Sequence, residues 1–237
     1  MSTDYALIGL IVCAFALWYF AFQTEVWNFW VRLSLAATLL AISALILTPD
    51  RTELFRARWR DLWVGIISAL ALYAIFWVGK QIALVILPFA ADQIQNVYTK
   101  REQLDLLSIG LLLFFLLGPS EEIFWRGFVQ RRLSQHVVHS SASSPLHPFS
   151  TLTPSPSPLR GRGETGVRGL GERSAWLVTT ALYALVHIWT LNFILIAAAG
   201  VAWLFWGWLY QREQSLLTVI ISHALWDVLI FVLFPLL

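Results

Sequence analysis

Apolar residues in this chain come in long blocks, and polar residues gather in the gaps between them. A bilayer core about 30 Å thick takes about 20 apolar residues in helical conformation to cross. Seven blocks meet that length, some narrowly: 5–22, 27–47, 62–87, 104–133, 175–190, 191–210 and 216–237. The fold class they predict is all-α, a polytopic transmembrane helix bundle of about seven spans. Gly118-Pro119 interrupts the fourth block and predicts a broken helix there, with Ser120 as the N-cap of a new one. The fifth and sixth blocks run together without a charge. As one helix they would measure about 55 Å, too long for a single crossing, so the chain is predicted to fold back near Thr190-Leu191-Asn192.

The pattern lapses in one place. Between 140 and 173 the chain holds five of its nine prolines and five of its thirteen glycines. Such a stretch buries too little apolar surface to offset its ordering entropy and is predicted to be a disordered insertion. Its Ser-Pro-Ser-Pro-Leu-Arg-Gly-Arg-Gly-Glu run looks like a translated repeat element, and His136, His139 and His147, in or beside it, are read as solvated. Four regions follow: 1–103 with about three spans, 104–139 with the fourth, the insertion at 140–173, and 174–237 with the C-terminal spans.

Composition agrees with a lipid environment. Hydrophobic residues make up 58% of the 237 positions, charged residues 13%, and mean hydropathy is +0.70, whereas a soluble domain carries about 25% charged residues. The net charge of +2 is small and scattered, which offers no nucleic-acid footprint. Thirteen tryptophans suit helices anchored at lipid headgroups. A single cysteine, Cys13, excludes an internal disulfide and a cysteine-rich metal site. The N-terminus lacks a basic stretch and a small-residue cleavage site, so it reads as a retained first helix.

Arg51, Arg56, Arg58 and Arg60 follow the second block, Arg131, Arg132, Arg160, Arg162, Arg168 and Arg173 the fourth, and Arg212 the sixth. The other side has little beyond Lys100 and Arg101. The positive-inside rule then puts the N-terminus in the cytoplasm and the C-terminus outside. Lys80, inside the third block, is expected to snorkel or to face another helix.

Ionisable groups inside spans are costly and mark functional sites. Away from span ends they are Glu121, Glu122 and Arg126 in the fourth block, His187 in the fifth, and His223 and Asp227 in the seventh, with none of comparable depth in the first, second or sixth. Glu122 and Arg126 are four apart and share a helix face, which leaves Glu121 to point elsewhere, into a cavity. In a pocket of low dielectric such a carboxylate suits a general base. Tyr183 and His187 share a face, as do His223 and Asp227, where a carboxylate holds an imidazole in one orientation.

Glu-Glu-x-x-x-Arg at 121–126, aromatic-x-x-x-His at 183–187 and His-x-x-x-Asp at 223–227 resemble the three motifs of the CPBP family, the CAAX prenyl endopeptidases of the Rce1 kind and their bacteriocin-processing and immunity relatives. The resemblance covers 104–237 apart from the insertion. It implies an intramembrane peptidase whose Glu121, His187, His223 and Asp227 line a cavity, with Glu122, Arg126 and Tyr183 in support. It further implies a peptide or membrane-anchored protein as substrate and the bacterial inner membrane as location. Asp227 stands where the prenyl-peptide proteases carry Asn, which points away from a prenylated substrate. Family members work either as metal-independent glutamate peptidases or as metalloproteases, in which Glu121, His187 and His223 would match a zinc set with an open fourth position. The chain lacks His-Glu-x-x-His, and both versions stay open, with the metal-free one favoured. A non-catalytic immunity or scaffold protein and a proton-coupled transporter are the rival readings. No internal repeat or paired broken helices speak for the transporter.

Overall fold

The computed structural model describes residues 2–135 and 160–237, and these are mainly helical, with no strand among them. The elements are α1 (Ser2–Gln23), α2 (Phe29–Ile46), α3 (Trp59–Ile86), the short α4 (Ala90–Tyr98), α5 (Leu106–Gln135), α6 (Arg160–Val186), α7 (Phe193–Glu213) and α8 (Leu216–Leu233). Among the described residues six helices, α1, α2, α3, α5, α7 and α8, are long and apolar enough to cross a membrane. The chain is an integral membrane protein. Large apolar side chains such as Val12, Ile67, Trp77 and Val85 stay exposed on the outside of the bundle, where a lipid solvent costs them nothing.

The remaining expected block, 175–190, is the end of α6 followed by a 3₁₀ turn, His187–Thr190. Of the segment expected to be disordered, 140–159 lies outside the described residues, as do His136, His139 and His147. Residues 160–173 form the first turns of α6. Five glycines lower its intrinsic helicity by roughly 1 kcal/mol each, but adding turns to an existing helix avoids the cost of a new nucleus.

The fold-back is where the apolar pattern put it. Leu191 takes the left-handed conformation (φ 51°), and Asn192 caps α7 by accepting the Leu195 N–H at 2.9 Å. Gly118-Pro119 is a correction, because it does not break α5. The chain widens into a π-helical turn over Leu113–Leu117, and the Gly118 N–H bonds to the Leu113 carbonyl five residues back. That shift of register accommodates a proline with no N–H and a ring that would crowd the carbonyl four residues back. Ser120 is therefore a buried residue inside the helix and not an N-cap.

α8 packs closely against α3 on one side and α5 on another. At Gly65 of α3 a methyl group would lie 2.7 Å from Ile221 of α8, so only glycine permits the contact. Below it Asp61 accepts from Thr218 at 2.8 Å and pairs with Arg58 at 2.9 Å. Arg58 also donates to the Glu213 carbonyl at 2.8 Å, and Arg60 pairs with Glu213 at 3.0 Å, which gathers the start of α3, the end of α7 and the start of α8 at one end of the bundle.

Arg32 of α2 is a charged residue that the block pattern passed over. It is buried and donates to the carbonyls of Ala21, Val26 and Trp27 at 3.1, 3.1 and 2.6 Å, closing the end of α1. Lys80 reaches the Leu237 carbonyl. The tryptophans divide. Trp27, Trp59, Trp63, Trp77 and Trp208 are exposed, whereas Trp18, Trp30, Trp125, Trp203, Trp206 and Trp226 are buried in the core.

Candidate active site

Three helices bring the motif residues together, and backbone contact sets the spacing. A methyl group on Gly118 would lie 3.1 Å from the Ala224 Cα and 3.2 Å from its nitrogen, so α5 and α8 touch main chain to main chain. One turn further along α5, Glu121 and Glu122 face the His223 turn of α8. A π-helical segment over Ile123–Gln130 follows the acids, and another over Leu229–Leu233 follows Asp227. Such wide turns cluster at functional sites.

Glu121 and Glu122 part company, as adjacent residues on a helix do. Glu121 Oε2 accepts the Tyr183 hydroxyl at 2.6 Å. The His187 Nδ1–H donates to the Tyr183 carbonyl at 2.8 Å, which fixes the tautomer and leaves Nε2 as an acceptor. Among the described residues no protein group bonds to Glu121 Oε1 or to His187 Nε2.

Glu122 is wholly buried and shared. Its Oε2 lies 3.3 Å from Arg126 Nε, its Oε1 3.4 Å from Arg126 Nη1, and the same Oε1 receives His223 Nδ1 at 2.8 Å. Asp227 Oδ2 stands 3.4 Å from His223 Nε2. The nearer carboxylate on His223 is therefore Glu122, whose expected task was Arg126 alone. Aromatic rings enclose the group: Trp206 stacks on His223 at 3.9 Å and donates to Ser222 Oγ at 3.1 Å, while Trp125 and Trp203 flank Tyr183.

A cavity of about 220 Å³ opens beside these residues. Glu121, Tyr183, His187, His223 and Asp227 all contribute to its wall, together with Trp203, Trp206 and Trp226. Gln23, Asn96, Lys100 and Asn192, from the ends of helices, line it too. Glu122 and Arg126 are absent from that lining and sit behind it. Sequence reasoning passed over Trp203 and Trp206. They lie three apart on an uncharged span, and nothing but their neighbours separates them from the other tryptophans.

The metal set that the motifs would offer, Glu121, His187 and His223, does not converge. Both nitrogens of His223 face carboxylates, His187 Nδ1 is committed to a carbonyl, and among the described residues no group of three or more His, Cys, Asp or Glu side chains is arranged to hold a metal ion. Comparison with known proteins adds the family. Searches of curated proteins and of solved structures give no match. Residues 103–229, more than half the chain and the part that holds all three motifs, match the Rce1-like type II CAAX prenyl endopeptidases. A helical membrane bundle with this cluster on one cavity wall, matched over that length, belongs to the Rce1-like family of CAAX-type membrane endopeptidases.

Proposed function

We propose that this protein hydrolyses a peptide bond of a membrane-associated or lipidated protein or peptide, with a water molecule activated by Glu121. The observation that carries the reading is a carboxylate on the cavity wall with one oxygen held by Tyr183 and the other open, beside an imidazole whose Nε2 is also open.

Glu121, assisted by His187, takes a proton from water as its oxygen attacks the scissile carbonyl carbon. The oxyanion that forms is met by the Nε2–H of His223, which as an imidazolium held between Glu122 and Asp227 carries a proton on both nitrogens, a contribution of roughly 3–4 kcal/mol where the donor is preorganised. The tetrahedral intermediate then collapses, the C–N bond breaks, and Glu121 passes its proton to the departing amine and returns to its ionised form. Glu122 holds His223 from behind through Nδ1, Arg126 balances Glu122, and Asp227 orients His223 on the Nε2 side. Water and protein groups suffice for every step. The chain lies in the bacterial inner membrane with the Arg58–Arg60–Glu213 end and the N-terminus toward the cytoplasm, a reading supported by the arginines gathered at that end.

Cleavage of a quenched fluorescent peptide library by purified protein in detergent tests this. Turnover that disappears in Glu121→Ala and persists in a chelator is the expected result. Inhibition by the chelator would move the reading to a metallopeptidase. A folded wild-type protein that cleaves no peptide, prenylated or plain, would overturn it in favour of an immunity or scaffold role, and a substrate-dependent proton flux in liposomes would favour transport.

A further inference from the structure

Trp203 belongs to none of the three motifs and sits on α7, a helix that carries no catalytic candidate. It is buried, and it touches a residue of each motif. Its ring lies flat against Tyr183, the planes 3° apart. The Arg126 guanidinium carbon stands 3.9 Å from the centre of the same ring, and Arg126 Nη2 donates to the Trp203 carbonyl at 3.4 Å. His223 meets the ring edge-on at 5.5 Å.

Each contact ends on a residue that takes part in the proposed reaction or holds one that does. Tyr183 is the donor that fixes Glu121, and its hydroxyl stays on Oε2 only while the phenol ring is held in one plane. Arg126 has no solvent and shares its carboxylate with His223, so Glu122 alone does not answer its charge. An indole face is the strongest aromatic partner for a guanidinium, and the effect grows where both are desolvated. We propose that Trp203 is a positioning residue of the hydrolysis: one ring sets Tyr183 against Glu121 and Arg126 against Glu122, and so aligns the base with the oxyanion donor. The inference rests on the peptidase reading above.

Neighbouring rings do less. Trp206 stacks on His223, and Trp125 meets Tyr183 only by its edge. An aliphatic side chain at 203 would fill the space without offering Arg126 a π face or Tyr183 a flat support.

Trp203→Leu, Trp203→Phe and Tyr183→Phe, measured on a cleaved peptide alongside thermal unfolding, test the role. Trp203→Leu should lower kcat by about tenfold or more with KM nearly unchanged, and Trp203→Phe, which keeps a smaller ring, should recover part of the loss. Combining Trp203→Leu with Tyr183→Phe should cost much less than the product of the two, because both act through Glu121. If Trp203→Leu fails to fold, the same comparison made with Trp203→Phe decides the matter. Losses that multiply, or a loss of kcat that only tracks the loss of folded protein in both variants, would reduce Trp203 to a packing residue and overturn the proposal. A wild-type protein that is folded yet cleaves nothing removes the reaction, and the positioning role with it. An active wild type with kcat unchanged in Trp203→Leu removes this proposal alone.

Discussion

Glu122→Gln isolates the energetics of the buried network. The carboxylate has no exposed surface, lies 3.3 Å from the Arg126 guanidinium, and accepts His223 Nδ1 at 2.8 Å. Gln preserves its shape and one acceptor oxygen but leaves Arg126 buried without a countercharge. Removing one partner of a buried pair costs about 3–5 kcal/mol. For a chain of this size that corresponds to a fall of roughly 6–20 °C in the unfolding midpoint. Part of the charge remains answered by the Trp203 face, which favours the lower end of the range. The double variant Glu122→Gln with Arg126→Met removes both charges and should recover most of the midpoint. It should not recover activity, because His223 still lacks the carboxylate on Nδ1. Thermal unfolding in detergent, followed by tryptophan fluorescence, and peptide cleavage on the same samples read the two effects separately. A single variant that melts within about 2 °C of wild type would show that the ion pair carries no net stability. A double variant that melts no higher than the single one would show that the uncompensated charge is not the cause.

Other outcomes follow from single contacts. Tyr183→Phe keeps the stacked ring and removes one hydrogen bond to a carboxylate, so kcat should fall by about 10- to 150-fold, and a fall of less than twofold in steady-state assays would contradict the role given to the hydroxyl. Gly118→Ala sets a methyl 3.1 Å from the α8 backbone, which cannot give way as a side chain would, and should cost about 1–3 kcal/mol in thermal unfolding together with activity. Asp227→Asn offers the oxyanion a donor that an ionised carboxylate lacks, so kcat should hold or rise, and a tenfold loss on the same peptide would show that the carboxylate itself is needed beside His223. Leu191→Gly relieves a left-handed residue whose side chain is exposed, and should raise the unfolding midpoint slightly, by up to about 1 kcal/mol in stability after the entropy of glycine is counted.

Block length and sparse charge made the bundle readable before any coordinates, because a bilayer imposes the same requirement on every span. The turn at Leu191 was legible for the same reason, since one uninterrupted run was too long for one crossing. Contacts within a single helix were legible too: Glu122 with Arg126 and Tyr183 with His187 follow from a spacing of four. What lay beyond reach depends on which helices touch. Glu122 meets His223 because α5 and α8 touch at Gly118, and no local pattern announces a contact between residues so far apart in sequence. The passage of α5 through Gly118-Pro119 depends on hydrogen-bond register, which a proline rule based on the ordinary helix cannot anticipate. Tryptophan counts misled in a similar way, because an indole serves a headgroup or a buried guanidinium equally well.

That last ambiguity bears on how a charged cluster survives inside this bundle. Six ionisable residues meet where water is scarce, and isolated charges there would be prohibitive. Each is answered locally: Arg126 by Glu122 and by the face of Trp203, His223 by the carboxylates of Glu122 and Asp227 and by stacking on Trp206, Glu121 by the Tyr183 hydroxyl and His187 by the Tyr183 carbonyl. Aliphatic walls would exclude water equally well but would give a guanidinium nothing in return, which accounts for indoles where leucines would pack as tightly. The compensation is also uneven. Glu122 and Arg126 lie behind the cavity lining, ion-paired with each other, whereas Glu121 and His187 reach that lining with one heteroatom each open toward the cavity. The ion-paired network behind the lining holds the geometry, and the open pair on the lining is where a water and a peptide carbonyl have partners to gain. The cost of burying the cluster thus falls on residues that do not react, and the reacting ones stay within reach of substrate.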